Sequence, residues 1–216
     1  MKTEKVGQRI RTFMTQHQLQ SLTLGQILDR TVATRGDRDA LIYVDRDFRR
    51  SYKAFSRVVD QLAKGLMALG VKKREKVAVW ATNIPYWVTL QFATAKIGAV
   101  LLTVNTNYKT AELAYLLEQS DTETLFIIDG YQDTDYIQTV YHLVPELKVQ
   151  ERGRLISQRF PCLRRVCFLG QEKHRGIYSH AADRGQDRGP ANRYAPAGRV
   201  AGGSVLPGLQ RDERLQ

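Results

Sequence analysis

The sequence predicts an α/β domain whose mostly parallel sheet is flanked by helices, and three observations predict it. Short uninterrupted apolar runs recur at residues 77–81 (Val-Ala-Val-Trp-Ala), 100–104 and 124–128. Each is of strand length, and the first has no polar face to offer water. Helix-period segments lie between them, one opening at Pro85 and one near Thr110. Strand, helix, strand, helix, strand is the order in which parallel strands pair through right-handed crossovers.

The elements follow from the amino end. Thr23 and Gln26 form a capping-box pattern, which starts a helix with Leu24, Ile27, Leu28 and Val32 as its apolar stripe; Gly36 is expected to end it in a left-handed conformation. Residues 40–44 and 48–51 read as a hairpin turning at Asp45-Arg46-Asp47. Ser51 caps the longest helix, residues 52–69, through the period of Phe55, Val58, Val59, Leu62, Leu66 and Leu69, and Gly70 with Val71 matches a Schellman stop. Pro85 suits a first helical position, where its missing N–H costs nothing, and Gly98 stops that helix. Thr110 is expected to cap the next one. Beyond residue 128, Asp129-Gly130 reads as a turn and Asp133 or Thr134 as the cap of a helix to about His142. Pro145 interrupts, residues 146–158 are charged helical or irregular sequence, and residues 165–169 form a last strand.

The chain has 216 residues, 43% of them hydrophobic, enough to bury a core. Its net charge of +11 invites a nucleic-acid or anionic-membrane reading. The charge is diffuse, however. Its tightest groups, Lys72-Lys73-Arg74 and Arg159 with Arg164-Arg165, form no stripe interleaved with aromatics, so they read as solvated surface and no nucleic-acid partner is expected. Two cysteines, Cys162 and Cys167, and an amino terminus with no apolar core segment point to free thiols and a cytoplasmic protein. Arg9 and Arg11, opposed by Glu4, leave organelle targeting as the alternative. Residues 1–21 read as an arm, 22–178 as the folded part and 179–216 as a disordered tail. Residues 175–216 hold seven of the sixteen glycines, three of the six prolines, seven arginines and no lysine. A natural arginine/glycine tail and out-of-frame translation of a GC-rich region both explain that composition.

Chemistry-bearing patterns are few. The turn after the first core strand, Ala81-Thr82-Asn83-Ile84-Pro85, has neither the glycines nor the lysine that a phosphate-cradling loop requires. Asn83 stands where α/β sheets bind ligands but reads first as a turn residue. Asp129, Asp133 and Asp135 could resemble a metal or acid/base group, yet turn and cap chemistry account for all three. Cys162, Cys167, His174 and His180 offer zinc-type ligands at a spacing that leaves no room for a finger helix. No serine elbow or His-Glu-x-x-His occurs. Catalytic, cofactor-binding and metal-binding residues are therefore all expected to be absent.

Three stretches together resemble the amino-terminal region of the AMP-forming acyl-CoA synthetases, members of the adenylate-forming superfamily. The first runs from Leu22-Thr23-Leu24-Gly25-Gln26-Ile27-Leu28 to Asp39-Ala40-Leu41-Ile42-Tyr43. The second is Arg50-Ser51-Tyr52-Lys53-Ala54-Phe55-Ser56 with its helix ending in Leu69-Gly70-Val71. It is similar to the family's Thr-Tyr-x-Glu-Leu element, with Ser51, Ala54 and Phe55 replacing the usual residues. The third is Asn83-Ile84-Pro85-Tyr86-Trp87, Ala95-Lys96-Ile97-Gly98-Ala99, Val104-Asn105-Thr106-Asn107 and Glu112-Leu113-Ala114-Tyr115-Leu116-Leu117. It is similar to the family's Lys-x-Gly-Ala to Asn-Pro to Glu-Leu-x-Tyr-x-Leu pattern, with Thr106 where proline is common. The resemblance runs to about Tyr178 and ends where the composition changes. It implies the amino-terminal part of the adenylate-forming ligase fold and, for the intact family, fatty acid or a related carboxylate, ATP, Mg and CoA as substrates and cofactors. The family's Thr-Ser-Gly-Thr-Thr-Gly-type phosphate loop has no counterpart in these 216 residues, so the resemblance implies a catalytically incompetent chain that uses no cofactor. The alternative is a non-catalytic binding module: a basic nucleic-acid binder, or a regulatory partner of a complete synthetase.

Overall fold

A computed structural model describes residues 22–44, 48–170 and 172–179. The amino-terminal arm, the turn at Asp45-Arg46-Asp47 and the tail from His180 lie outside the described residues.

The elements, in chain order, are α1 (Leu24–Arg35), β1 (Asp39–Tyr43), β2 (Phe48–Ser51), α2 (Tyr52–Ala68), β3 (Lys76–Trp80), α3 (Pro85–Ile97), β4 (Val100–Thr103), α4 (Thr110–Ser120) and β5 (Thr124–Ile127). They continue with β6 (Gly130–Tyr131), β7 (Thr134–Asp135), α5 (Tyr136–Leu143), a 3-10 turn (Pro145–Lys148), β8 (Arg165–Phe168) and β9 (Tyr178–Ser179). β1 and β2 form an antiparallel hairpin with an irregular register between Asp39 and Leu41. The main sheet has the order β4-β3-β5-β8-β9 and every pairing in it is parallel. The first crossover, through α3, steps outward from β3 to β4; the second, through α4, returns past β3 to β5. Right-handed crossovers stepping in opposite directions put their helices on opposite faces. The sheet is thus covered on both sides, and its central strands read as unbroken apolar runs because Val77, Ala78, Val79 and Trp80 are each 0% exposed.

Local signals explain most boundaries. Thr23 and Gln26 exchange reciprocal bonds, Thr23 N–H donating to Gln26 Oε1 at 2.8 Å and Gln26 N–H to Thr23 Oγ1 at 3.2 Å. Ser51 Oγ accepts from Ala54 N–H at 3.3 Å. α2 ends in a Schellman motif: Gly70 has φ 85°, its N–H donates to the Met67 carbonyl, and Val71 N–H donates to that of Leu66, both at 2.9 Å. α3 opens on Pro85 and closes in the same way at Gly98, φ 74°.

Several expectations are corrected. Gly36 is right-handed, φ −53°, because the chain leaves α1 through a turn that aims the Gly36 carbonyl at Lys53 N–H, 2.8 Å away. The α1 stripe is largely unburied: Leu28 is 2% exposed, whereas Leu24 and Ile27 remain exposed. Thr110 lies inside α4, whose entry is secured by Lys109 N–H donating to Glu112 Oε2 at 3.1 Å. The cap of α5 is Asp135, accepting from Gln138 N–H at 2.9 Å, while Asp133 pairs with Lys109 Nζ at 2.6 Å. The Arg165 side chain is 11% exposed and packs on Glu75 and Thr124 instead of lying on a solvated surface.

Candidate functional site

In a parallel sheet the carboxyl ends of the strands face ligands, above all where the strand order reverses. Here the reversal lies between β3 and β5, since β3 sends the chain to β4 on one side and β5 receives it on the other. Trp80 ends β3, and Asp129 follows the end of β5.

The edge is held by aromatic side chains. Trp80 and Tyr136 stack with ring centroids 3.5 Å apart and planes 9° from parallel, and both are 0% exposed. Their polar tips hold the loop after β4: Trp80 Nε1 donates to the Asn105 carbonyl at 3.1 Å, and Tyr136 Oη donates to that of Thr106 at 2.7 Å. Burial keeps the Tyr136 phenol firmly protonated by raising its pKa. Asn105 Oδ1 completes the turn by accepting from Asn107 N–H at 2.9 Å. Asn83, the candidate ligand residue of this edge, is exposed in a turn where Ile84 N–H donates to the Thr82 carbonyl at 2.8 Å.

The other candidate residues separate. Lys109 holds the exposed Asp133 carboxyl below the usual carboxylate range. Cys167 lies inside β8, where burial pushes its thiol up to about 12, too high for a nucleophile near neutrality. Cys162 Sγ is 3.9 Å from Asp121 Oδ1, and His180 lies outside the described residues. What the fold assembles instead is Asp129, Glu172 and His174, whose ligand atoms all lie within 4.8 Å of one another. β5 and β8 are adjacent and parallel, so the segments leaving their carboxyl ends meet there. Glu172 had no role in the sequence reading. The signal that could have found it is the adjacency of the two strands, which local periodicity does not carry. Burial first, and the neighbouring Glu172 charge second, raise the Asp129 carboxyl pKa; His174 opposes them.

A groove of about 510 Å³ also runs along the outer face of α4, lined by Tyr108, Ala111, Tyr115, Leu116 and Gln119 among others. No helix among the described residues is long and apolar enough to cross a membrane.

Known proteins share this sheet. A family model described as AMP-binding enzyme matches residues 28–187, ending within the arginine-rich stretch. The protein YngI of Bacillus subtilis (strain 168) is 47% identical over 156 residues, covering 72% of this chain and 28% of the relative. The mitochondrial medium-chain acyl-CoA ligase ACSF2 of Danio rerio is 33% identical over 160 residues, covering 74% and 26%. The chain thus spans about a quarter of the length of these curated relatives. Among solved structures, acetoacetyl-CoA synthetase from Streptomyces lividans superposes with a TM-score of 0.58 at 28% identity, covering 73% of this chain and 24% of that one. The matched residues take in the whole parallel sheet, and on that ground the chain belongs to the AMP-binding enzyme family, as an amino-terminal portion of an AMP-forming ligase.

Proposed function

We propose that this chain supplies the amino-terminal share, residues 22–178, of an AMP-forming fatty-acyl-CoA ligase and does not itself adenylate a carboxylate. The complete reaction joins a carboxylate to ATP as acyl-adenylate, releases pyrophosphate, and passes the acyl group to the thiol of CoA. The observation that carries the family side of this reading is the match over residues 28–187 by a chain spanning only 28% of YngI.

The residues at the carboxyl edge do not fit the nucleotide. Phosphate oxygens need converging N–H donors or cations, and charge developing at the α-phosphorus needs them preorganised. At the first turn of α3, Pro85 has no N–H, Trp87 N–H is spent on the Ile84 carbonyl at 3.0 Å, and Ile84 offers no capping group. The Trp80–Tyr136 stack fills the space beside it. Across the edge stand the acids Asp129 and Glu172, which repel phosphate. No step of the ligase reaction is therefore assigned to these residues.

The test is pyrophosphate release from Mg-ATP by the purified chain, with fatty acids of short, medium and long chain. The expected rate equals the ATP-only background with every acid. Acid-dependent release that saturates with ATP would overturn the proposal.

A further inference from the structure

We propose that Asp129, Glu172 and His174 form a binding site for a divalent transition metal of the zinc class at the carboxyl edge of the sheet. Three observations carry it. The set is one imidazole and two carboxylates from the ends of adjacent strands, gathered within 4.8 Å. Imidazole with carboxylate selects zinc, cobalt or manganese over the all-oxygen cages preferred by magnesium and calcium.

The second observation is the state of His174. Its Nε2 is buried with no hydrogen-bond partner, and the nearest acid oxygen, Glu172 Oε2, is 4.0 Å away. An imidazole nitrogen shut off from water without a partner loses the full solvation of that atom, and a cation between it and the acids would supply the missing interaction. The ring is held in place: Phe168 meets it edge to face at 4.6 Å. Its loop is also anchored. Tyr141 Oη donates to the Arg175 carbonyl at 2.9 Å, Ile177 is 0% exposed, and a side chain on Gly176 would collide with the backbone of Leu147.

The third is charge. Two acids drawn together at a partly buried edge repel each other, and a cation held between them would offset that repulsion. Zinc ligands at ~2.0–2.2 Å from the ion stand roughly 3.3–3.6 Å apart in a tetrahedron, closer than the present group. The side chain that must move is Glu172, which is 79% exposed and free to swing inward. A water would take the fourth position. Neither cysteine belongs to the group.

The experiment titrates Co2+, a spectroscopic stand-in for zinc, into the full chain and reads visible absorption, stoichiometry and displacement by Zn2+. One equivalent should bind and be displaced by Zn2+ but not by Mg2+, with a coordination shell of imidazole nitrogen and carboxylate oxygen. His174→Gln and Asp129→Asn should each weaken binding by at least about tenfold, as loss of a ligand or its support does. A triple variant His17→Gln, His142→Gln, His180→Gln, which leaves His174 as the sole imidazole, should bind like the parent. No saturable uptake by the parent chain would overturn the site and leave His174 as a plain ion-pair partner. Sulfur in the coordination shell, or loss of binding in the triple variant, would overturn it too. If the single variants fail to fold, the shell measured on the parent and on the triple variant decides alone.

Discussion

At the amino edge of the sheet, Arg165 reaches from β8 past Thr124 of β5 to Glu75 and uses four of its five N–H donors. Nη1 reaches Glu75 Oε1 at 2.6 Å and Thr124 Oγ1 at 2.9 Å, Nε donates to the Leu69 carbonyl at 2.8 Å, and Nη2 donates to that of Gly70 at 3.1 Å. The second oxygen of Glu75 accepts from Lys72 N–H at 3.1 Å. At the carboxyl edge, two acids and an imidazole meet with a buried nitrogen unpartnered. The same strands thus end in a compensated charge pair on one side and an uncompensated group on the other. Buried charge with every partner supplied fixes structure; buried charge lacking a partner is available to a ligand.

The largest test of that contrast is at Glu75, whose side chain is 3% exposed against 11% for Arg165. Glu75→Gln leaves a buried guanidinium without its counter-charge, and about 3 kcal/mol or more of unfolding free energy should be lost in urea denaturation. The double replacement Glu75→Leu with Arg165→Met should cost less than the single one, since it removes both charges. A single-variant loss below about 1 kcal/mol would end the contrast. The carboxyl edge, by comparison, depends on single neutral bonds. Tyr136→Phe keeps the stack on Trp80 and removes one donor to Thr106, so about 0.5–1.5 kcal/mol is expected by the same measurement.

How far the sequence reached follows the range of each interaction. Thr23, Ser51, Gly70, Pro85 and Gly98 act within a few residues, so helix ends could be read from them directly. The apolar runs of β3 and β5 were legible because both faces of those strands are covered. The order of the strands was not, because nothing local to β4 states that it lies outside β3. Two-residue strands such as β9 have no period to detect. Asp135 took the cap from Asp133 and Thr134 because β6 and β7 pair across Gly130 and Asp135, which delays the helix by one or two residues. Arg165 looked like surface beside Arg164, and only the β5–β8 register, Thr124 opposite Arg165, carries it inward. The Asp129–Glu172–His174 group rests on that same register and was hidden for the same reason.

Lys96 gives a third arrangement and the smallest effect. Its Nζ bonds Asp29 Oδ1 at 2.7 Å and Asp60 Oδ1 at 2.8 Å, tying α3 to α1 and α2. Two acids meet here as at the carboxyl edge, but the chain supplies the cation itself. Burial pulls the Lys96 pKa down, the bonds and charges of the two aspartates more than reverse that, and the net shift is upward from its ordinary 10.5. A lysine whose folded pKa exceeds its unfolded value contributes stability that is complete below the unfolded value and is lost as pH rises through the folded one. The aspartates are 60% and 48% exposed, so Lys96→Met should cost roughly 0.5–1 kcal/mol near neutrality. The gap between parent and variant should hold constant up to about pH 10 and close above it. A gap that stays open through alkaline pH would mean that Lys96 stabilises the helices by the packing of its stem on Gly25 and not by the charge it places between two acids.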